Sequence, residues 1–439
     1  MNSFSGKRIT LMGLGLLGRG VGDARYLAEQ GAELTVTDLK TKEQLATSLA
    51  ELSEFKNISY TLGEHKLEDF KDKDLIVKAA GVPLDSPYIA EAKKNGIPVR
   101  MSADLFLEIA DIPAIGITGT RGKSTVTHMI HEILKEAGKP VILGGNVRGV
   151  STLALLKDVT PEHTAVLELD SWQCQGLGEA ALSPQVAVFT TFMRDHMNYY
   201  HDDMGAYLAD KANIFLYQSP DDTLVLGKQC APTIIDAFGE TIVSNISIAD
   251  EAIVPEDWVL KLPGVHNRYN AGLALAAARA YGIDDAVSKK ALEAFVGVPG
   301  RLELVAEKNG VKIYNDTNAT TPEAALAALE ALGEEGKQNI VLIMGGADKG
   351  LDMNKLLVEI PKHAKRVILL AGTGTDRVLE FLPEASVFDD FGKAVEEAMH
   401  SAKSGDCVLL SPAFASFGMF KNEYDRGDQF NALVNAYVG

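Results

Sequence analysis

Residues 116–130 read GITGTRGKSTVTHMI: an apolar run ends, a loop of small residues follows, and a helix pattern begins. That order is the strand, loop and helix of a parallel α/β unit. In Gly119, Thr120, Arg121, Gly122, Lys123, Ser124 and Thr125 the glycines let backbone N–H groups approach phosphate oxygens, and the helix that follows offers its positive end. Lys123 can reach β- and γ-phosphates, and the Ser124 hydroxyl can face Mg²⁺. The strict G-x-x-x-x-G-K-[ST] spacing is not met, because Ile117 stands where its first glycine would be.

Upstream of this loop, strand-like runs at Arg8–Met12, Glu33–Thr37, Asp74–Val77 and Ile97–Arg100 alternate with helical patterns, as βαβ units require. From Ile115 a second α/β block carries AVLEL and QVAVFTTF, and after EAFVGVPGRLELV a third begins with KIYNDT, NIVLIMGG, RVILLAG and CVLLSPA. The reading is an α/β protein of three domains, 1–111, 112–298 and 299–439, the middle one a parallel sheet with a phosphate loop.

Lys and Arg number 42 against 60 Asp and Glu, a net charge of -18, which argues against nucleic acid or an anionic membrane as partner. Cys174, Cys230 and Cys407 show no paired spacing, so neither a disulfide framework nor a zinc site is expected, and a reducing cytoplasm fits. No run is long and apolar enough to read as a membrane span; AGLALAAARAYG is cut by Arg279.

A second glycine cluster, GLGLLG (Gly13, Gly15, Gly18), also follows a strand, and Asp38 ends the next one, where a ribose-binding acid would stand. Two nucleotide-type loops fit a dehydrogenase with an ATP site, or an ATP-driven enzyme whose substrate carries its own nucleotide. Asp195 and His196 lie just past QVAVFTTF, Glu168 ends AVLEL, and Lys211 follows on a helical pattern. A carboxylate, an imidazole and a lysine near Ser124 make a metal-and-phosphate site. In the last block Thr321 reads as a helix N-cap before Pro322, which leaves Asp316 free at a strand end.

Taken in order, GLGLLG, TGTRGKST, GGNVRG, LELDSWQ, DHMNYY, LADKANIF, GVHNRYNAGLALAAA, GRLELV, NDTNAT, GGADKG and SPAFASFGMFKNEYDRG resemble the Mur ligases of peptidoglycan synthesis over nearly the whole chain. The resemblance implies Rossmann-like first and last domains, the first holding UDP. It also implies an ATP-dependent ligase that joins glutamate, most closely D-glutamate, to UDP-N-acetylmuramoyl-L-alanine through an acyl phosphate. By position it assigns Gly15, Leu16, Leu17, Asp38, Lys40, Gly81 and Asn146 to the UDP substrate. Asn267, Asn270, Arg301 and Asp316 join the ATP set. Ser124, Glu168, His196 and Lys211 fall to two Mg²⁺ ions, with Lys123, His196 and Lys211 catalytic and Lys211 carbamylated. Asn318, Thr320, Lys349, Ser416 and Phe417 fall to the incoming amino acid. A monomer working in the cytoplasm is implied.

The chain departs from the family pattern at four positions. Arg121 replaces an asparagine, Leu17 a hydroxyl residue, Asn318 a lysine, and Glu423 an aromatic residue, with Tyr424 one place later. An L-glutamate or other amino-acid ligase, a folylpolyglutamate synthase, a nucleotide-binding module without turnover and a nicotinamide oxidoreductase are the alternatives.

Overall fold

The computed structural model describes residues 4–16, 18–333 and 336–438. Three sheets form in chain order. The first contains Arg8–Met12 (β1), Glu33–Asp38 (β2), Ile58–Leu62 (β3), Leu75–Lys78 (β4) and Val99–Arg100 (β5), all parallel, in the order β3-β2-β1-β4-β5. The run expected from Ile97 pairs only from Val99, because Pro98 has no N–H to give the ladder.

The second sheet contains Ala114–Thr118 (β6), Val141–Gly145 (β7), Thr164–Glu168 (β8), Val186–Phe189 (β9), Thr223–Gly227 (β10) and Asn245–Ala249 (β11). Its order, β11-β10-β9-β6-β8-β7, puts β6 between β8 and β9, so the loops after all three strands meet at one carboxyl edge. The third sheet contains Glu303–Lys308 (β12), Val311–Asn315 (β13), Ile340–Gly345 (β14), Ala364–Leu370 (β15), Ser386–Phe388 (β16) and Cys407–Leu410 (β17). It runs β12-β13-β17-β14-β15-β16, with β12 alone antiparallel to its neighbour. The three-domain α/β architecture read from the sequence is therefore present.

The central strands are apolar at nearly every position because helices cover both faces of each sheet. Ile9, Leu11, Leu34 and Val36 pack one core, Leu167, Phe189, Ile214 and Phe215 a second, and Leu342, Leu409, Leu329 and Phe414 a third.

Packing divides the chain into two compact units: Met1–Pro255 with Asn270–Leu292, and Glu256–Tyr269 with Glu293–Gly439. The first unit holds the first two sheets. Within it Asp23, on the Arg19–Glu29 helix, accepts hydrogen bonds from Ser102 Oγ at 2.8 Å and Ser151 Oγ at 2.6 Å. Burial raises its pKa to about 6, with both hydroxyls and Arg19 opposing. No helix of the described residues is long and apolar enough to cross a membrane.

In the second unit, Thr321 stands at the N-cap position but its side chain makes no capping bond. The extended Thr321 backbone and the fixed φ of Pro322 start that helix.

Candidate active site

At the carboxyl edge of the second sheet, residues 119–122 link β6 to the Lys123–Glu136 helix. Two glycines are dictated by crowding. A Cβ on Gly119 would stand 2.1 Å from Thr190 Oγ1, and one on Gly122, where φ is +87°, would stand 2.5 Å from Asn270 Oδ1. Thr120 N–H donates to Thr191 O at 2.7 Å, and Met193 N–H donates to Thr120 Oγ1 at 3.0 Å. The loop is thus stapled to the segment after β9.

Lys123 Nζ donates to Gly119 O at 3.0 Å and Thr120 O at 3.2 Å, folded back over its own loop. Lys211, from the Met204–Ala212 helix, donates its Nζ to the same Gly119 O at 2.9 Å and lies 4.9 Å from the Tyr207 ring centre. Its side chain is buried, not a surface charge. Burial, with the Lys123 ammonium adding repulsion, pushes its pKa down to about 7, so near neutrality much of the amine is uncharged. Ser124 and Thr125 open the helix, Ser124 buried and Thr125 half-buried.

Glu168 ends β8, buried, with Asn146 Nδ2 donating to its Oε1 at 3.5 Å and no ion pair reaching it among the described residues. Asn146 N–H donates to Glu168 O at 2.7 Å, and Arg19 Nη1 donates to Asn146 Oδ1 at 2.5 Å. The cap of the Ser171–Ala180 helix is Asp170, whose carboxylate accepts from Gln173 N–H at 2.8 Å, so Glu168 is not spent on capping. His196 sits in the left-handed region at φ 56° and packs 4.9 Å from the Trp172 ring. Burial lowers its pKa against the pull of Asp195, which favours the neutral imidazole that can ligate a metal.

Among the described residues no group of three or more His, Cys, Asp or Glu side chains could hold a metal by itself. An under-partnered buried carboxylate, a neutral imidazole and the Ser124 hydroxyl are nevertheless donors that suit Mg²⁺ once ligand oxygens complete the shell.

At the first sheet, both Asp38 oxygens are held by backbone: Gly15 N–H donates to Oδ2 and Lys40 N–H to Oδ1, each at 2.9 Å. Lys40 Nζ lies 3.9 Å from Oδ1. Leu16 and Leu39 flank this carboxylate with exposed side chains, and Gly81 faces open space after β4. Leu17 lies outside the described residues.

In the second unit, Asp316 is not free at its strand end. Leu302 N–H donates to Oδ1 at 3.0 Å and Ser411 Oγ to Oδ2 at 2.8 Å, because the sheet order sets the ends of β13 and β17 side by side. Burial raises its pKa to about 7. Arg301 is exposed nearby in sequence, its N–H bonded to Val298 O. Asn267, also in this unit, donates Nδ2 to Pro263 O at 2.7 Å, whereas Asn270 belongs to the first unit.

Lys349 Nζ donates to Thr320 Oγ1 at 2.9 Å, joining two of the residues expected at the amino-acid site. Asn318 Nδ2 points to Pro299 O at 3.4 Å; Ser416 is buried and Phe417 exposed. Sequence reasoning missed Arg426. This fully buried guanidinium donates to Thr317 Oγ1 at 3.0 Å and Thr317 O at 2.8 Å, and Thr317 Oγ1 donates to Glu423 O at 2.8 Å. It braces the backbone between Asp316 and Asn318. The only signal in the sequence is an arginine one turn after Glu423, which spacing alone does not distinguish from a surface charge. Arg19 was missed for the same reason.

Three family models match in chain order: a Mur ligase MurD-like N-terminal domain over residues 7–101, a Mur ligase middle domain over 117–254, and a Mur ligase, glutamate ligase domain over 300–414. The chain is 38% identical to the UDP-N-acetylmuramoylalanine–D-glutamate ligase of Roseiflexus sp. (strain RS-1), covering 99% of each chain. It is 34% identical to the protein of that name from Borreliella burgdorferi (strain ZS7), covering 97% of each. Among solved structures, UDP-N-acetylmuramate-alanine ligase MurC from Thermotoga maritima superposes with a TM-score of 0.63 at 19% identity, covering 98% of this chain and 100% of that one. The folylpolyglutamate synthase of Mycobacterium tuberculosis gives 0.58 at 15%, covering 75% and 93%. At those identities the likeness is one of fold.

Proposed function

The chain belongs to the Mur ligase family, and we propose that it is the ATP-dependent ligase that adds D-glutamate to UDP-N-acetylmuramoyl-L-alanine in peptidoglycan precursor synthesis. The observation that carries the chemistry is the shared Gly119 carbonyl: Lys123 and Lys211 converge on it at the phosphate loop.

On binding ATP, Lys123 exchanges its loop carbonyls for phosphate oxygens; the loop of Gly119, Thr120, Arg121, Gly122, Ser124 and Thr125 cradles them, Thr120 and Arg121 N–H staying on Thr191 to shape it while the N–H groups at the helix start face the phosphates. Asn267, Asn270, Arg301 and Asp316 hold the rest of the nucleotide. Ser124, Glu168 and His196 would hold Mg²⁺, which supplies positive charge against the β- and γ-phosphates. Two ions are expected.

Lys211 has the chemistry for carbamylation. Its unprotonated amine adds to CO₂, forming an N–C bond and losing a proton, so a buried cation becomes a buried carboxylate able to face a cation.

The substrate carboxylate attacks the γ-phosphorus, the bond to ADP breaks, and an acyl phosphate forms. The unprotonated amine of glutamate then attacks the acyl carbon, loses a proton, and phosphate leaves. Lys123 stabilises charge on the transferring group. Gly15, Leu16, Leu17, Asp38, Lys40, Gly81 and Asn146 bind the UDP substrate, and Asn318, Thr320, Lys349, Ser416 and Phe417 bind glutamate. The domains are taken as 1–111, 112–298 and 299–439, and the enzyme as a cytoplasmic monomer.

The test is phosphate release from ATP with UDP-N-acetylmuramoyl-L-alanine present, adding D-glutamate, L-glutamate and other amino acids singly and weighing the product. Release that depends on D-glutamate, with the mass of the new amide, supports the reading. Product with another amino acid alone would make Asn318 and Glu423 the residues that set a different specificity, and no release with any would end the ligase reading for this substrate.

A further inference from the structure

Arg121 ties the phosphate loop to the segment that carries His196. Its N–H donates to Thr191 Oγ1 at 2.9 Å, its carbonyl accepts from Thr190 Oγ1 at 2.6 Å, and its Nη1 donates to Asp195 Oδ2 at 2.8 Å. The other oxygen of Asp195 is occupied as well: His196 N–H donates to Oδ1 at 2.9 Å. Asp195 is therefore held between a loop guanidinium and the backbone of the next residue.

That next residue needs holding. His196 is not glycine, yet it adopts φ 56°, a left-handed conformation that costs roughly 1 kcal/mol and persists only where neighbours enforce it. The ring on the same residue rests against Trp172 and Tyr207, at 4.9 and 6.2 Å between centres. Pairing at Asp195 fixes the backbone, and the aromatic contacts fix the ring.

We propose that Arg121 is a positioning residue for the ligase reaction: through Asp195 it locks the strained His196 backbone, so that the imidazole keeps its place at the edge shared by Glu168 and Ser124. The proposal rests on the ligase reading for its assay but not for its geometry. It differs from a direct phosphate contact, because Arg121 in this arrangement turns its Nη1 onto Asp195.

Two readouts separate these roles. In the nucleotide-free, metal-free protein, the His196 ring signals are assigned in ¹⁵N-histidine spectra with H196Q. Arg121→Gln and Asp195→Asn should each move or broaden them, while Arg121→Lys, which keeps a donor of the same charge, should restore most of the wild-type position. In turnover, Arg121→Gln and Asp195→Asn should each lower kcat about tenfold with little change in the KM for ATP, and the double variant should be no worse than either alone. Thermal melts of the three proteins identify any variant that has lost its fold. The inference is overturned if the His196 signals stay in place in Arg121→Gln. It is equally overturned if Arg121→Gln raises the KM for ATP at unchanged kcat, or if the two losses multiply. The spectra keep this result apart from failure of the ligase reading, since they need no substrate.

Discussion

Replacing Lys211 with methionine should make the protein more stable and inactive, and the gain should depend on pH in one direction. A lysine whose pKa falls from 10.5 to about 7 on folding carries a penalty of at most about 5 kcal/mol at pH values below 7. Methionine fills a similar volume without charge, but it forfeits the bond to Gly119 O, which contributes about 1 kcal/mol. Lost contact with the Tyr207 ring takes away about as much again. A net gain of about 2–3 kcal/mol is expected at pH 6.

The sign follows from proton binding. Between pH 7 and 10.5 the folded protein binds fewer protons at this site than the unfolded chain, so wild-type stability rises with pH across that window. Lys211→Met lacks this rise, and its advantage should be gone by pH 10, where the charging penalty has fallen to about 1 kcal/mol and the lost bond to Gly119 O offsets it. Urea unfolding of ligand-free protein in CO₂-free buffer at several pH values measures the difference, with fluorescence following the first unit through Trp172. Added bicarbonate should stabilise wild type alone, by mass action of carbamate formation. A stability difference that does not change with pH, or a variant less stable at pH 6, would refute the reasoning that burial dominates this amine.

Glu168→Gln keeps the shape and the Asn146 contact but removes the buried negative charge, so turnover should fall at least about 100-fold with the melting temperature unchanged or raised; a steady-state assay across Mg²⁺ concentrations checks this. Gly122→Ala puts a methyl group 2.5 Å from Asn270 Oδ1 at φ +87°, which should cost about 1–2 kcal/mol of stability and weaken nucleotide binding by roughly tenfold, read by calorimetric titration. Ser411→Ala removes the hydroxyl that favours ionised Asp316. Its destabilisation should therefore be about 1–2 kcal/mol at pH 8.5 and smaller at pH 5.5, where the carboxyl is protonated in both proteins; urea midpoints at the two pH values decide.

Most strands inside each sheet were legible because burial on both faces writes them as continuous apolar runs: IVLIM and CVLL leave little else to read, although the inner strand Thr223–Gly227 was not named. Two edge strands were not. Ile58–Leu62 and Asn245–Ala249 are exposed or half-covered at nearly every one of five positions, which leaves no apolar pattern to separate them from a loop. The phosphate loop was readable because glycine is forced by crowding, a local constraint that leaves a local mark. Lys211 was read on a helical pattern as part of the same site, but not its burial, which depends on a helix packing under Gly119, 92 residues earlier in the chain. Arg426 and the two bonds that hold Asp316 depend on pairing between β13 and β17 and on a terminal helix. Partners that far apart in sequence leave no spacing to count. Thr321 takes the N-cap position expected of it, without a side-chain cap because Pro322 and backbone geometry already start the helix; the expectation that failed was a free Asp316, whose partners Leu302 and Ser411 come from other parts of the chain.

Asp23 has a consequence for the order in which the chain is made. The strands of the first sheet are complete by Arg100, yet the carboxylate buried beneath it waits for Ser102 and then for Ser151. At ribosomal rates of about 5–20 residues per second, the second hydroxyl arrives roughly 6–25 seconds after Asp23 itself, and later still clears the exit tunnel. During that interval the emerging domain holds an acid with incomplete partners. Arrested nascent chains released at increasing lengths should stay open to protease until Ser151 has emerged, which would make the first sheet a passenger of the second during synthesis.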